Sequence, residues 1–286
     1  VGYVYSSAHC DDDEAQATLH AYLERSGGAQ DVPAPRKLRF EPGYRECFWH
    51  RNCVAVGQAA GFIEPLLAPE LAHIQNIRIG TKSVAYWPQR YVSDKDSDDL
   101  MRLFERVVKA GKNLAIMGHY NHAVELRHPI AQQAVKRIVG TGATLRMQGP
   151  LIRHINEDPK SWAELWTTGV RLGAIPYYMF VERDTGPRDY FALPLARAHE
   201  IFQSAYSMVS GLSRTVRGPS MSAFPGKVVI DGVVTINGEK LFALQFLQAR
   251  NPEWVRKPFF AKYDPDATWL DHLKPAFGRK KFFFEE

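Results

Sequence analysis

The sequence predicts an α/β protein: a partial (β/α) barrel of about four β/α units, preceded by a smaller α+β segment. Two observations carry this prediction. The first is a set of short apolar runs that end abruptly in polar side chains. Ala115–Met117 passes through Gly118 into His119, Tyr120, Asn121 and His122, and Thr144–Met147 ends at Gln148. Likewise Ile175–Val181 ends at Glu182, Arg183 and Asp184, and Ile77–Ile79 ends at Gly80, Thr81 and Lys82. The second is the helical pattern that follows each run. A strand buried on both faces reads as a continuous apolar run, and β/α folds gather functional groups where such strands end.

Taken in order, Val1–Ser7 alternates small and aromatic residues and predicts a strand. Asp11–Asp13 and Glu14 open a helix that runs to about Arg25, because carboxylates oppose the positive end of the helix dipole. Ser26-Gly27-Gly28 ends it, Pro33–Pro35 is a linker, and Lys37–Phe40 is a short strand. Asn52 can cap a helix on which Val54, Gly57, Ala60 and Gly61 form a small-residue face. Asp96–Lys112 predicts a helix with Leu100, Leu103, Phe104, Val107 and Val108 on one face and Gly111 near its end. Pro129–Val139, Pro159–Leu172 and Arg197–Val209 predict three more, the first starting on a proline suited to the first helical position. Strands are expected to start at about 76, 113, 144 and 174. Four units make roughly half of a complete barrel, which leaves two open strand edges to be covered. A homo-oligomer is a possible assembly.

The 286 residues suffice for one large domain or two smaller ones, and 45% apolar content suits a soluble globular chain. A net charge of +5 suits anionic ligands, but the basic residues are scattered. The run Arg279-Lys280-Lys281 reads as a solvated tail, not as a nucleic-acid interface. The longest apolar candidate, Asn52–Ile63, falls short of the roughly 20 residues that span a bilayer, so no membrane partner is expected. Three cysteines (Cys10, Cys47, Cys53) give no even disulfide framework and favour a reducing, cytoplasmic setting. The chain starts at Val1 without methionine and is read as a fragment.

Several side chains are suited to chemistry. Lys227 follows Pro225-Gly226. A lysine held there and partly desolvated has a lowered pKa and can form a Schiff base, although a surface lysine in a turn is the plainer alternative. Asp184, at the end of a strand, could bind a substrate ammonium. His119, His122 and Glu125 would form a two-histidine, one-carboxylate metal face if they lay on a helix. Gly118 and the apolar run before it argue for extended chain instead, with His119 and Asn121 on one face and His122 on the other, so no metal is assigned. Gln148 and Asn156 suit pocket hydrogen bonds, and Tyr177 and Tyr178 suit either a pocket or the core.

Two resemblances overlay this reading. Gly2–Ser7, Asp11–Glu14, Phe40–Gly43 and the Trp49–Leu66 pattern W-x-x-N-x-x-A-x-G-x-A-x-G-F-x-E-P-L resemble the flavin-dependent tryptophan halogenases. The resemblance covers about residues 1–66. It implies a fragment of flavoprotein-like fold with Asn52, Gly57 and Gly61 on the flavin side, and hence FAD as cofactor. The glycine-rich dinucleotide fingerprint and the catalytic lysine of that family are absent, and Leu67 stands where a glutamate follows E-P-L.

From about Ile63 onward the chain resembles the radical S-adenosylmethionine aminomutases of the lysine 2,3-aminomutase family. The motifs are Gly80–Arg90 (GTKSVAYWPQR), His119–Leu126 (HYNHAVEL), Arg146–Asp158, Pro176–Gly186, Ser210–Lys227 and Leu247–Trp254. The chain would then divide into 1–66, halogenase-like; 67–227, the partial barrel; and 228–286, a C-terminal extension. The resemblance implies a 1,2-amino shift on an amino acid, with pyridoxal phosphate, S-adenosylmethionine and a [4Fe–4S] cluster as cofactors. It implies Lys227 as the cofactor lysine and His119, Asn121, Gln148 and Tyr177 around the cofactor. Asp184 and Asn156 would lie on the substrate side. The family's second amine-binding aspartate has no counterpart in Ser220–Phe224, which leaves the amino acid open. The cluster motif C-x-x-x-C-x-x-C is matched by none of the three cysteines, so no turnover is expected of the chain as it stands. The alternatives are a halogenase fragment and a pyridoxal-phosphate-binding protein without radical chemistry.

Overall fold

The computed structural model describes residues 11–25, 49–50, 53–54, 67–183 and 188–285. The chain divides into two compact units, Val1–Phe62 and Ile63–Glu286.

In the first unit, helix α1 (Asp12–Arg25) begins where the sequence predicts. Its first turn carries Asp12, Asp13 and Glu14, and the Glu14 amide donates to Asp11 Oδ1 at 2.8 Å. Strands β1 (Trp49–His50) and β2 (Cys53–Val54) form a small antiparallel pair, with Trp49 opposite Val54. This corrects the expectation of a helix entered at Asn52 and carrying Val54. The remainder of that expected helix lies outside the described residues.

The second unit is a mixed α/β structure around one eight-stranded sheet in the order β10-β9-β8-β7-β6-β5-β4-β3. The strands are β3 (Asn76–Thr81), β4 (Asn113–His119), β5 (Thr144–Leu151), β6 (Ile175–Val181), β7 (Arg217–Ala223), β8 (Gly226–Ile236), β9 (Glu239–Ala249) and β10 (Pro258–Lys262). From β3 to β7 neighbours run parallel, and from β7 to β10 they run antiparallel. The helices are α2 (Ser83–Tyr86), α3 (Ser97–Lys109), α4 (Pro129–Gly140), α5 (Pro159–Arg171), α6 (Arg188–Phe191) and α7 (Leu195–Ser207). No helix among the described residues is long and apolar enough to cross a membrane.

One turn is used three times to enter a strand. Gly111, Gly142 and Gly173 have φ of +80°, +87° and +89°, and each stands two residues before its strand, β4, β5 and β6 respectively. Only glycine adopts that left-handed geometry without strain, so each helix stops at a fixed point and the chain turns back into the sheet. The helices also start on matched signals. Asp158 caps α5 by accepting from the Lys160 amide at 2.9 Å, and Pro129 and Pro159 occupy first-turn positions.

Two cores result. One lies between the parallel strands and the helices, with Leu114, Ile116, Leu145 and Leu151 buried together with Phe104, Trp162 and Trp166. The other lies over the antiparallel strands, where Phe242, Phe246 and Phe259 meet Phe282, Phe283 and Phe284 near the C-terminus. Burying a side chain such as Phe242 or Phe246 stabilises by about 1.5–3 kcal/mol relative to exposure. Buried Lys112 is satisfied by donating to the carbonyls of Leu71 at 2.9 Å and Ile74 at 2.7 Å.

Candidate functional site

The two faces of the parallel strands differ. Leu145, Met147, Gly149 and Leu151 of β5 are buried, and a Cβ at Gly169 of α5 would stand 2.1 Å from the Met147 sulfur. Met147 therefore faces the helices. Alternation along a strand turns Thr144, Arg146 and Gln148 to the opposite face, where each is half-buried. The register carries this face across the sheet, because His119, Gln148, Tyr178 and Arg217 are successive partners on β4, β5, β6 and β7.

An irregularity in β6 brings two aromatic rings into this row. Met147 pairs with Pro176 and Gln148 with Tyr178, so Tyr177 has no partner of its own on β5. Such a bulge re-aims side chains, and the Tyr177 and Tyr178 rings meet edge to face with centroids 4.4 Å apart. Around Tyr177 stand Arg217, Arg146 and Arg78, their guanidinium carbons 4.9, 5.1 and 6.0 Å from its centroid. Arg217 also lies 4.9 Å from the Tyr178 centroid.

Lys227 enters from β8, opposite Ser222 of β7. The preceding Gly226 lets β9 approach closely, since a Cβ there would lie 2.2 Å from the Gln248 carbonyl oxygen. The Lys227 ammonium rests 4.1 Å from the centroid of Tyr178 and 5.2 Å from that of Phe180, whose ring stacks on Tyr178. Burial lowers the Lys227 pKa below the usual lysine range, and the charges of Arg78 and Arg217 lower it further. A shallow depression of about 300 Å³ opens beside it, lined by Ser222, Phe224, Lys227, Gln248 and Arg250 among others. Gln248 also pairs with Lys227 in the β8–β9 ladder.

At the other end of the row, His119 Nε2 lies 2.6 Å from Gln148 Nε2. Burial lowers the His119 pKa, and nearby Lys82 lowers it further; the Gln148 amide nitrogen can only donate, so Nε2 accepts from it. The chain after His119 is held by Glu125. One of its oxygens accepts from Lys82 at 2.9 Å and the other from the Asn121 and His122 amides at 2.6 and 3.2 Å. His122 Nδ1 in turn accepts from the Val124 amide at 3.2 Å and starts a short 3-10 turn, Ala123–Leu126. His119, His122 and Glu125 thus share no helical face, and each is engaged locally.

Of the residues singled out from sequence, His119, Gln148, Tyr177 and Lys227 lie on this one face, and Asn121 sits half-buried just beyond its edge. Asn156 does not join them. It is 1% exposed, donates to the carbonyls of Asn121 at 2.7 Å and Pro150 at 2.9 Å, and accepts from the Ile152 amide at 2.7 Å. Both amide hydrogens and one acceptor position of Asn156 are thus spent on bracing the loop after β5. Asp184, Asn52, Gly57 and Gly61 lie outside the described residues. Sequence reasoning missed Arg78, Arg146 and Arg217. The signal was available for Arg146, which precedes Gln148 by two residues on one strand and so shares its face.

Comparison with known proteins yields two sets of relatives. The family model described as tryptophan halogenase matches residues 1–129, well past residue 66. Tryptophan 6-halogenase SttH of Streptomyces toxytricini is 42% identical over 65 residues, 23% of this chain and 12% of that protein. An Aquifex aeolicus protein bearing the L-lysine 2,3-aminomutase name is 32% identical over 71% of this chain and 52% of its own length. L-lysine 2,3-aminomutase of Escherichia coli is 24% identical over 56% of this chain and 44% of its own. The chain thus spans about half the length of the aminomutase relatives it matches. One polypeptide here joins a segment related to the tryptophan halogenases to a longer segment related to the lysine 2,3-aminomutases.

Proposed function

We propose that the second unit binds pyridoxal phosphate through Lys227 and belongs to an amino-acid aminomutase. One observation carries the reading: a lysine amine of lowered pKa, set on the Tyr178 ring beside Arg217 on the face of the parallel strands turned away from the helices. The donor set fits the cofactor, since it offers one nucleophilic amine, flat aromatic faces and cations for a phosphate. Bound there, pyridoxal phosphate would supply a carbonyl for linkage to amines and a ring that withdraws electrons.

The chain's own residues have separable roles. Arg78 and Arg217 favour the neutral, nucleophilic form of Lys227. Tyr178 and Phe180 cover one side of the amine against water. Gln148 fixes His119 as a neutral ring at the edge of the site. On the same reading, Asn121 lies beside the cofactor, Asp184 stands on the substrate side, and the parallel strands are part of a barrel. The ligand is a small amino acid, the setting is cytoplasmic, and a second copy of the chain is the candidate partner. The residues do not fit a [4Fe–4S] cluster, because Cys10, Cys47 and Cys53 include no C-x-x-x-C or C-x-x-C pair, and no step is derived through one.

The match over residues 1–129 favours a second reading, FAD binding along Asn52, Gly57 and Gly61 as in a halogenase-like flavoprotein. One experiment separates the two. The full chain is mixed with pyridoxal phosphate, reduced with borohydride and mapped by peptide mass spectrometry, with FAD titrated in parallel. The expected result is a cofactor adduct on Lys227, absent in Lys227→Ala. An adduct spread over other lysines, or undiminished by Lys227→Ala, overturns the assignment.

A further inference from the structure

We propose that Arg78, Arg146 and Arg217 form an oxyanion seat beside Lys227, so that what is bound there is a carboxylate or phosphate and not the ammonium of a diamine. The inference rests on the proposed role of Lys227 only for its position relative to the cofactor. The seat itself stands on the geometry of the arginines.

The three arginines come from β3, β5 and β7, so the fold, and not one flexible loop, brings them to the Tyr177 ring. Several other arginines of this unit pair with carboxylates. Arg90 pairs with Asp96 at 2.6 Å, Arg127 with Glu164 at 2.7 Å, Arg137 with Asp98, and Arg197 with Glu200 at 3.1 Å. Among the described residues no carboxylate pairs with Arg78, Arg146 or Arg217. Three guanidiniums thus gather at the Tyr177 ring, and the Lys227 ammonium lies over the adjoining Tyr178 ring. An arginine held beside a ring and without a carboxylate partner keeps its planar donor fork for a carboxylate or phosphate, which it takes through two parallel hydrogen bonds. A ligand bearing a second ammonium at this place would meet like charges only, whereas an anion relieves their mutual repulsion.

Calorimetry with the full chain tests this, using glutarate, inorganic phosphate and 1,5-diaminopentane as probes. Glutarate and phosphate are expected to bind and the diamine not to. Arg217→Met and Arg146→Met should each weaken both anions about tenfold or more, and Arg217→Lys should restore part of the loss. Circular dichroism of each variant reports folding. A repeat after borohydride fixation of pyridoxal phosphate on Lys227 tells the sources apart. Glutarate binding that persists assigns the seat to a substrate carboxylate, and glutarate binding that is lost assigns it to the cofactor's phosphate. Diamine binding as tight as that of glutarate, or anion binding indifferent to Arg217→Met and Arg146→Met, overturns the proposal. Should no cofactor adduct form while the anions still bind, the cofactor reading falls and the seat stands.

Discussion

Lys227 and Tyr178 face each other across the β6–β8 side of the sheet, ammonium to ring centroid at 4.1 Å. Arg217 shares the same ring at 4.9 Å. Two cations beside one aromatic ring repel, and the lysine is the one that can yield by releasing its proton.

That relation sets the first prediction. Removing a neighbouring positive charge favours the charged amine, so Arg78→Met should raise the Lys227 pKa. Reductive methylation of Lys227, followed by mass mapping across pH, should show its profile moved to higher pH than in wild type. An unmoved profile would leave burial and Arg217 as the causes.

His119 has the opposite consequence for stability. Its folded-state pKa lies below the ordinary value of about 6.5, so the unfolded chain takes up the proton first as pH falls. Stability attributable to this group is present above 6.5 and is lost as pH drops toward the lowered value. Between pH 7 and pH 5 the His119→Gln variant should therefore lose less stability than wild type. Equal losses in paired urea titrations would contradict this.

Asn156 is predicted to matter for structure alone. Asn156→Ala removes three hydrogen bonds in a buried loop and leaves backbone groups unsatisfied, which costs about 2–4 kcal/mol. The folded variant should still take its cofactor adduct at Lys227. A stable variant that loses the adduct would make Asn156 a ligand-contacting residue after all.

Gly173→Ala should cost about 1–2 kcal/mol, because an L-residue at φ +89° is strained. The new Cβ would also stand 3.1 Å from Val139 Cγ1. Thermal unfolding of the variant measures the loss, and an unchanged midpoint would show the turn to be tolerant.

The parallel half of the sheet was legible because its signals are local. Strands expected at about 76, 113, 144 and 174 begin at 76, 113, 144 and 175. The helices α3, α4, α5 and α7 also fall within a few residues of their expected ends. The antiparallel half, β8 to β10, was taken only as an extension. Yet Asn237-Gly238, at φ of +50° and +80° between two alternating runs, is a hairpin signal of the strongest short kind. The site was legible in part. His119 and Gln148 stand out as polar groups where apolar runs end, Tyr177 as a ring suited to a pocket or the core, and Lys227 as an amine after Pro225-Gly226. Arg78 and Arg217 acquire meaning only through register across the sheet, which no single segment encodes. A polar residue after a strand, such as Asn156, looks alike in sequence whether it serves a ligand or the loop.

Gly111, Gly142 and Gly173 recur at equal intervals, each at the same backbone angle and the same distance from its strand. A chain cut at one of them and rejoined at the next would re-enter the sheet through an identical corner. The stretch between two such corners is thus an exchangeable module, and a gene spliced at those codons keeps the geometry of its joints.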